Sequence, residues 1–430
     1  MRRTPIVLLL AGFLLIIDYY VYQAVHVAFG SLSITIKQSI FGLYWALTGS
    51  VILGLLIYYF GNVDRLPARF RTYVLVGIAT NFIAKTFVMA ILFLEDVQRG
   101  IRWAYLQISR LFQEDPAISD EVVIPRAPLL SKIALAAGSV PVVAITWGIV
   151  SGAHDYRIRR KTITLPNLPK SFDGLRIAQL SDIHSGSFHN KIAVKGGVEM
   201  VNREKPDITF FTGDLVNNQA SEMRDYMNVF DKISAPLGVF SILGNHDYGD
   251  YVRWASPEKK AANLEALKVV HRQLGWNLLL NENHMIRENG EQLAILGIEN
   301  WGARGFSKYG KLAEAHRGTQ EAPTKLLLSH DPSHWSAEVL KDFQDIDITF
   351  AGHTHGMQFG VEIGPVKWSP AQYMYKEWAG LYENEGQFLY VNRGFGYLGY
   401  PGRIGIPPEI TIIELKRSPE PEIALASASA

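Results

Sequence analysis

Phe350-Ala351-Gly352-His353-Thr354-His355-Gly356 ends an apolar run, Ile346–Ala351, with two imidazoles one residue apart between glycines. A run of this length and content reads as a buried strand. The histidines therefore fall just past its C-terminal end. Upstream, the pattern repeats. Leu175–Leu180 is followed by Asp182 and His184, and Ile208–Thr212 by Gly213-Asp214. Val239–Leu243 is followed by Gly244-Asn245-His246-Asp247, and Leu326–Ser329 by His330. Leu293–Ile298 reads as a further strand, and Ile192–Arg203 and Glu258–Leu274 read as helices. Strands alternating with helices give an α/β domain. In such sheets the C-terminal edge is where sites are built. Glycine at these turns permits backbone conformations that a Cβ would obstruct.

The polar residues at that edge are of metal-ligand type. Phosphate ester hydrolysis is very slow unassisted. Two divalent ions about 3.5–4 Å apart polarise the phosphoryl oxygens and make hydroxide available at neutral pH. Such a site needs one carboxylate shared by both ions, with His and oxygen donors around it. Asp182 and His184 can face one ion, and Asp214 is the natural shared carboxylate. Asn245 offers an amide oxygen, and His330, His353 and His355 offer imidazoles. His246 is expected to point elsewhere. It could protonate the leaving oxygen or stabilise the charged phosphoryl group, with Asp247 holding its ring. The chain has no cysteine, so disulfides and thiolate ligands are excluded.

The ordered set Asp182-Ile183-His184, Gly213-Asp214, Gly244-Asn245-His246-Asp247, His330 and Gly352-His353-Thr354-His355 resembles the calcineurin-like metallophosphoesterase superfamily. The resemblance covers about Gly174 to Leu415, and no motif position is missing. It implies a four-layer α/β/β/α sandwich. It also implies one metal held by Asp182, His184, Asp214 and His355, and a second held by Asp214, Asn245, His330 and His353, with His246 as the catalytic histidine. Manganese, iron or zinc would fit this donor set. The stretch from Phe172 to His184, with Asn392-Arg393-Gly394-Phe395-Gly396 and Pro407-Pro408-Glu409-Ile410, is similar to a bacterial membrane-tethered branch. Some members of that branch are related to enzymes that cleave the pyrophosphate of UDP-diacylglucosamine.

The first third of the chain differs in composition. Four apolar runs, Ile6–Phe29, Ile40–Phe60, Thr72–Leu94 and Ile133–Ala153, are long enough to span a bilayer. The first carries Arg2 and Arg3 ahead of it and could instead be a signal peptide. Asp18 and Lys85 interrupt runs one and three at similar depth, and an ion pair between them is expected. Val97–Phe112 has helical apolar spacing and reads as a separate amphipathic helix, either in the membrane interface or packed on the bundle. Arg2, Arg3, Arg65, Arg69, Arg71 and Arg157–Lys161 outweigh the basic residues of the other side, which places the N-terminus and the catalytic domain in the cytoplasm.

The expected organisation is a membrane domain over 1–153, a basic, proline-containing linker over 154–173, the phosphoesterase domain over 174–417 and a flexible tail over 418–430. The expected partners are the membrane and a phosphate-containing substrate, which could be lipid-linked. A net charge of +1 argues against nucleic acid. An integral protein of the bacterial inner membrane follows from the resemblance. Two readings compete with a lipid- or nucleotide-linked substrate. One is a phosphodiesterase or phosphatase acting on a soluble substrate. The other is a non-catalytic scaffold with a retained metal domain. His189, His334 and Arg393 could touch phosphate or serve as ordinary structural residues.

Overall fold

The computed structural model describes residues 4–61, 67–110, 124–303, 305–364 and 366–418. The chain divides into two compact units, with the boundary between Trp147 and Gly148.

Four helices carry the apolar runs: α1 (Thr4–Ala28), α2 (Ile34–Phe60), α3 (Ala68–Arg110) and α4 (Pro128–Val150). All four are long and apolar enough to cross a membrane. Ile17, Val21, Ala24, Val88, Leu92 and Ala134 form one buried cluster among them. Many other apolar side chains point outward, as a lipid solvent requires. Lys85 and Asp18 form the expected ion pair, both buried. Thr48 also donates to the Asp18 carboxylate, and the Tyr44 hydroxyl donates to the Asp18 carbonyl at 2.7 Å. A buried charge pair is tolerable only when its remaining acceptor capacity is filled in this way.

One expectation fails here. The third run and the amphipathic segment are not separate helices. Helix α3 runs unbroken for 43 residues, about 64 Å at 1.5 Å per residue. No proline lies between Leu94 and Val97, so nothing stops the helix at the end of the apolar run. Leu111 and Phe112 lie outside the described residues, as do Arg2, Arg3, Arg65 and the tail beyond Ser418.

The second unit is built on strands β1 (Arg157–Leu165), β2 (Arg176–Leu180), β3 (Ile208–Phe211), β4 (Val239–Ser241), β5 (Asn277–Leu278), β6 (Glu282–Glu288), β7 (Glu291–Gly297), β8 (Lys325–Leu328), β9 (Ile348–Ala351), β10 (Val361–Ile363), β11 (Val366–Trp368), β12 (Gly380–Asn384), β13 (Gln387–Val391) and β14 (Glu409–Arg417). One six-stranded sheet has the order β1-β14-β2-β3-β4-β5, the other β12-β13-β9-β8-β7-β6, and β10-β11 is a separate ribbon. The sheets pack face to face over a core that includes Ile177, Phe210, Phe240, Leu326, Phe350 and Ile413. On the outer face of the first sheet, Val194, Val198 and Val201 of helix Lys191–Arg203 join Ala178, Leu180 and Phe211. On the outer face of the second, Leu312, Ala315, Trp335 and Val339 join Ala294, Leu296 and Leu327. The result is the expected four-layer arrangement.

Basic Arg157–Lys161, read above as part of a linker, belongs to β1. This strand pairs in parallel with β14 along its whole length and forms the edge of the first sheet. Charged residues suit an edge strand, because they discourage further strands from adding to it. Arg159 also reaches inward to the carboxylates of Glu362 and Glu409. Strands β2, β3, β4, β8 and β9 all end where the ligand-type residues begin. Parallel pairing of β2-β3-β4 in one sheet and β8-β9 in the other brings those ends to one edge.

Candidate metal centre

Five loops converge at that edge. Asp182, His184 and His355 present ligand atoms within 4.8 Å of one another, and so do Asp214, His330 and His353. In the first group His184 Nε2 lies 3.0 Å from His355 Nε2, which is 3.2 Å from Asp182 Oδ1. In the second, Asn245 Oδ1 is 2.8 Å from His353 Nδ1 and 3.2 Å from His330 Nε2. Asp214 Oδ2 stands between the groups, 3.5 Å from His184 Nε2 and 3.2 Å from His330 Nε2. Asp214 Oδ1 instead accepts the backbone N–H of His246 at 2.9 Å.

The backbone is bent to achieve this. Asp182, His184, Asp214, His353 and His355 all have φ between 48° and 72°. Non-glycine residues seldom adopt this left-handed region, and each costs about 1–3 kcal/mol where the fold enforces it. Five such residues in one site mark it as functional. The glycines make the bends possible. Gly213 has φ 93°, and a Cβ there would lie 2.5 Å from the Gly244 nitrogen. A Cβ on Gly352 would lie 1.9 Å from Ser181 Oγ.

The donor set fits a pair of divalent cations. His330 Nδ1 lies 2.7 Å from the Thr212 carbonyl, which can only accept. That bond fixes one proton on Nδ1 and turns Nε2 toward Asp214, whose carboxylate raises the ring's pKa to about 10 while no cation is bound. The outer nitrogen of His353, Nε2, is 2.8 Å from the Tyr375 hydroxyl, so Nδ1 faces inward. Burial holds the His184 ring well below its ordinary pKa, in the neutral form that ligates. Burial opposes charge on the Asp214 carboxyl, yet His330 and His246 hold it well below the usual range. Imidazole nitrogens 3.0–3.3 Å apart, with carboxylate and amide oxygens among them, converge on shared space. Cations would satisfy them, and nitrogen and oxygen donors suit manganese, iron or zinc.

One expectation about the surroundings fails. Asp247 does not hold the His246 ring. Its carboxylate is fully buried and accepts four backbone N–H groups, from Asp214 and Gly244 on Oδ2 and from Leu215 and Val216 on Oδ1, at 2.9–3.2 Å. It shapes the Asp214 loop. The His246 ring is set by the Asn217 carbonyl, 2.9 Å from Nδ1, which leaves Nε2 free. Of the two roles open to Arg393, the structural one is seen. Its guanidinium donates to Glu409 at 2.6 Å and Glu362 at 2.5 Å. His334 meets Ser329 and Glu338, and His189 meets Tyr397, so both lie off the cluster.

Three residues escape sequence reasoning. Tyr375 touches His353 as described. Tyr251 accepts from the Asn245 amide at 2.8 Å and lies against the His246 ring, with centroids 4.4 Å apart. Arg403 is buried, with Nη2 3.3 Å from His355 Nδ1 and its other donors on the carbonyls of Gly394, Gly396 and Ile406. No motif announces any of them, since aromatic and basic residues are common in loops.

Comparison with known proteins agrees with this geometry. Residues 1–153 match the family described as "Probable Calcineurin-like phosphoesterase, transmembrane domain", and residues 175–357 match "Calcineurin-like phosphoesterase". The chain is 29% identical over 288 residues to a "Transmembrane protein with metallophosphoesterase domain" of Danio rerio, covering 65% of this chain and 62% of that protein. A protein of the same description from Bos taurus is 29% identical, over 63% of this chain and 60% of that one. The chain thus spans about three fifths of these two relatives. The uncharacterised metallophosphoesterase YkuE of Bacillus subtilis is 28% identical, over 61% of this chain and 86% of YkuE.

Proposed function

From the premise that the chain is a calcineurin-like metallophosphoesterase and an integral membrane protein, we propose that it hydrolyses a phosphoester or pyrophosphate bond of a lipid-linked or nucleotide-linked substrate. The observation that carries this reading is Asp214 Oδ2, within 3.5 Å of an imidazole from each group. Asp182, His184, Asp214 and His355 would hold one ion, and Asp214, Asn245, His330 and His353 the other. Two bound divalent ions supply electrophilic activation of the phosphoryl group and a nucleophile at neutral pH.

The chain's own residues then divide the remaining work. The Asn217 carbonyl keeps a proton on His246 Nδ1 and leaves Nε2 as the nitrogen that can meet substrate. His246 Nε2 can give its proton to the leaving oxygen or bond the phosphoryl anion. Asp247 locks the loop that carries Asp214, and Thr212 and Tyr375 orient His330 and His353. We infer a catalytic domain on the cytoplasmic side of a bacterial inner membrane, a reading supported by the balance of Lys and Arg and by the resemblance to a tethered bacterial branch. UDP-diacylglucosamine is the substrate that resemblance suggests.

The test is turnover by detergent-purified, Mn²⁺-loaded full chain. The substrates are bis-p-nitrophenyl phosphate, p-nitrophenyl phosphate and UDP-diacylglucosamine. Hydrolysis that His246→Ala abolishes is expected. Bound metal without turnover of any of the three would favour the scaffold reading.

A further inference from the structure

Ribbon β10-β11 is turned inside out. Its register pairs Val361 with Trp368, Glu362 with Lys367 and Ile363 with Val366. Side chains alternate along strands, so Val361, Ile363, Val366 and Trp368 share one face and Glu362 and Lys367 the other. A half-buried ribbon usually turns its apolar face to the core. Here the apolar face is in the open, at 44%, 73%, 61% and 38% exposure respectively. The polar face is the one held to the domain. Glu362 accepts from buried Arg393, which also bonds Glu409, and Lys367 donates to the Ala379 carbonyl at 2.5 Å.

Ion pairing therefore fixes this register, since a slip of one residue would exchange the two faces. Phe359 and Tyr373 extend the exposed surface, at 44% and 75%. The segment is also tied to the metal centre at both ends. Phe359 follows His355 by four residues, Ser369 Oγ donates to the Gly356 carbonyl at 2.7 Å, and Tyr375 meets His353. Exposed apolar patches of this kind mark interaction surfaces. Bilayer lipid is the apolar partner always beside an integral membrane protein. Trp368 and Tyr373 are of the amphipathic type enriched at the lipid–water boundary.

We propose that the outward face of β10-β11 seats in the bilayer interface and brings the head groups of membrane-resident phosphates to the metal centre. The second half rests on the hydrolase reading above; the first half does not. The chain has no cysteine, so a single Ile363→Cys carries one environment-sensitive fluorophore. Lys195→Cys, on an exposed helix face, serves as the control. The full chain is placed in nanodiscs with and without doxyl-labelled phospholipid. Penetration of about 5–10 Å predicts at least about twofold quenching at residue 363 and none at 195. Equal, negligible quenching at both positions overturns the proposal. So does an emission change that follows protein concentration and ignores the lipid label, which would assign the face to a second copy. Turnover of the three substrates named above is measured on the same samples. Quenching without turnover sinks the hydrolase reading and supports the surface; turnover without quenching does the reverse.

Discussion

Replacing Asp247 by Asn separates a loop-shaping role from a catalytic one. The wild-type carboxylate accepts four backbone N–H groups, two on each oxygen. An amide of the same shape can keep two of them. Its NH₂ group then faces two buried N–H donors, those of Asp214 and Gly244, or those of Leu215 and Val216 if it flips. Each buried donor left unpaired costs about 1–3 kcal/mol, so the change costs roughly 2–6 kcal/mol. At about 2–4 °C per kcal/mol, the melting temperature should fall by roughly 4–24 °C. The Asp214 loop moves with the lost bonds, and a displacement near 1 Å lowers turnover by about 10²-fold. Thermal unfolding, metal content by mass spectrometry and bis-p-nitrophenyl phosphate turnover are read on the same preparation. Stability and metal content should fall together with activity. A variant with normal melting and full metal content but lost turnover would refute this reasoning and restore Asp247 as a partner of His246.

Other parts of the molecule make sharp expectations as well. Tyr375→Phe removes the hydroxyl beside His353 Nε2, and about a 10–100-fold loss of metal affinity or activity should follow; unchanged Mn²⁺ titration and turnover would exclude an orienting role. Asp18→Asn or Lys85→Met alone should cost about 3–5 kcal/mol by stranding a buried charge, and the double variant should recover most of it; additive losses in detergent melting would contradict the pairing. His271 is buried with Nδ1 2.9 Å from Ser241 Oγ, and burial pushes its pKa down from 6.5 to about 3. The folded state keeps the ring neutral while the unfolded chain protonates it. Stability is therefore full above pH 6.5 and falls toward pH 3 by about 1.4 kcal/mol per pH unit. Replacing His271 by Gln should flatten the acid side of the melting profile, and an unchanged slope would count against this assignment.

What the sequence disclosed follows from what kinds of interaction leave a signature. The membrane helices were legible because about 20 uninterrupted apolar residues have few alternatives. The Asp18–Lys85 pair was legible because charges in such runs need partners. The metal cluster was legible because each ligand loop follows a buried strand, so order along the chain predicts convergence in space. Partners that are backbone groups leave no such mark. Asp247 was assigned to His246 by proximity in sequence, yet its partners are four N–H groups that any residue would supply. β1 was hidden because edge strands tolerate charge, and the central strand β14 because Glu409–Arg417 mixes charged ends with an apolar middle. The inverted ribbon β10-β11 could be counted as alternating, but not which face it would bury. That choice depends on Glu362 meeting Arg393, thirty-one residues away.

The central claim is that Asp214 joins two metal sites in a working phosphoesterase. Metal stoichiometry of the Mn²⁺-loaded full chain tests it most directly, by mass spectrometry on wild type and Asp214→Ala after identical dialysis. Two ions per wild-type chain are expected, with loss of metal from both sites in the variant. One ion in the wild type, or two retained in the variant, would contradict it.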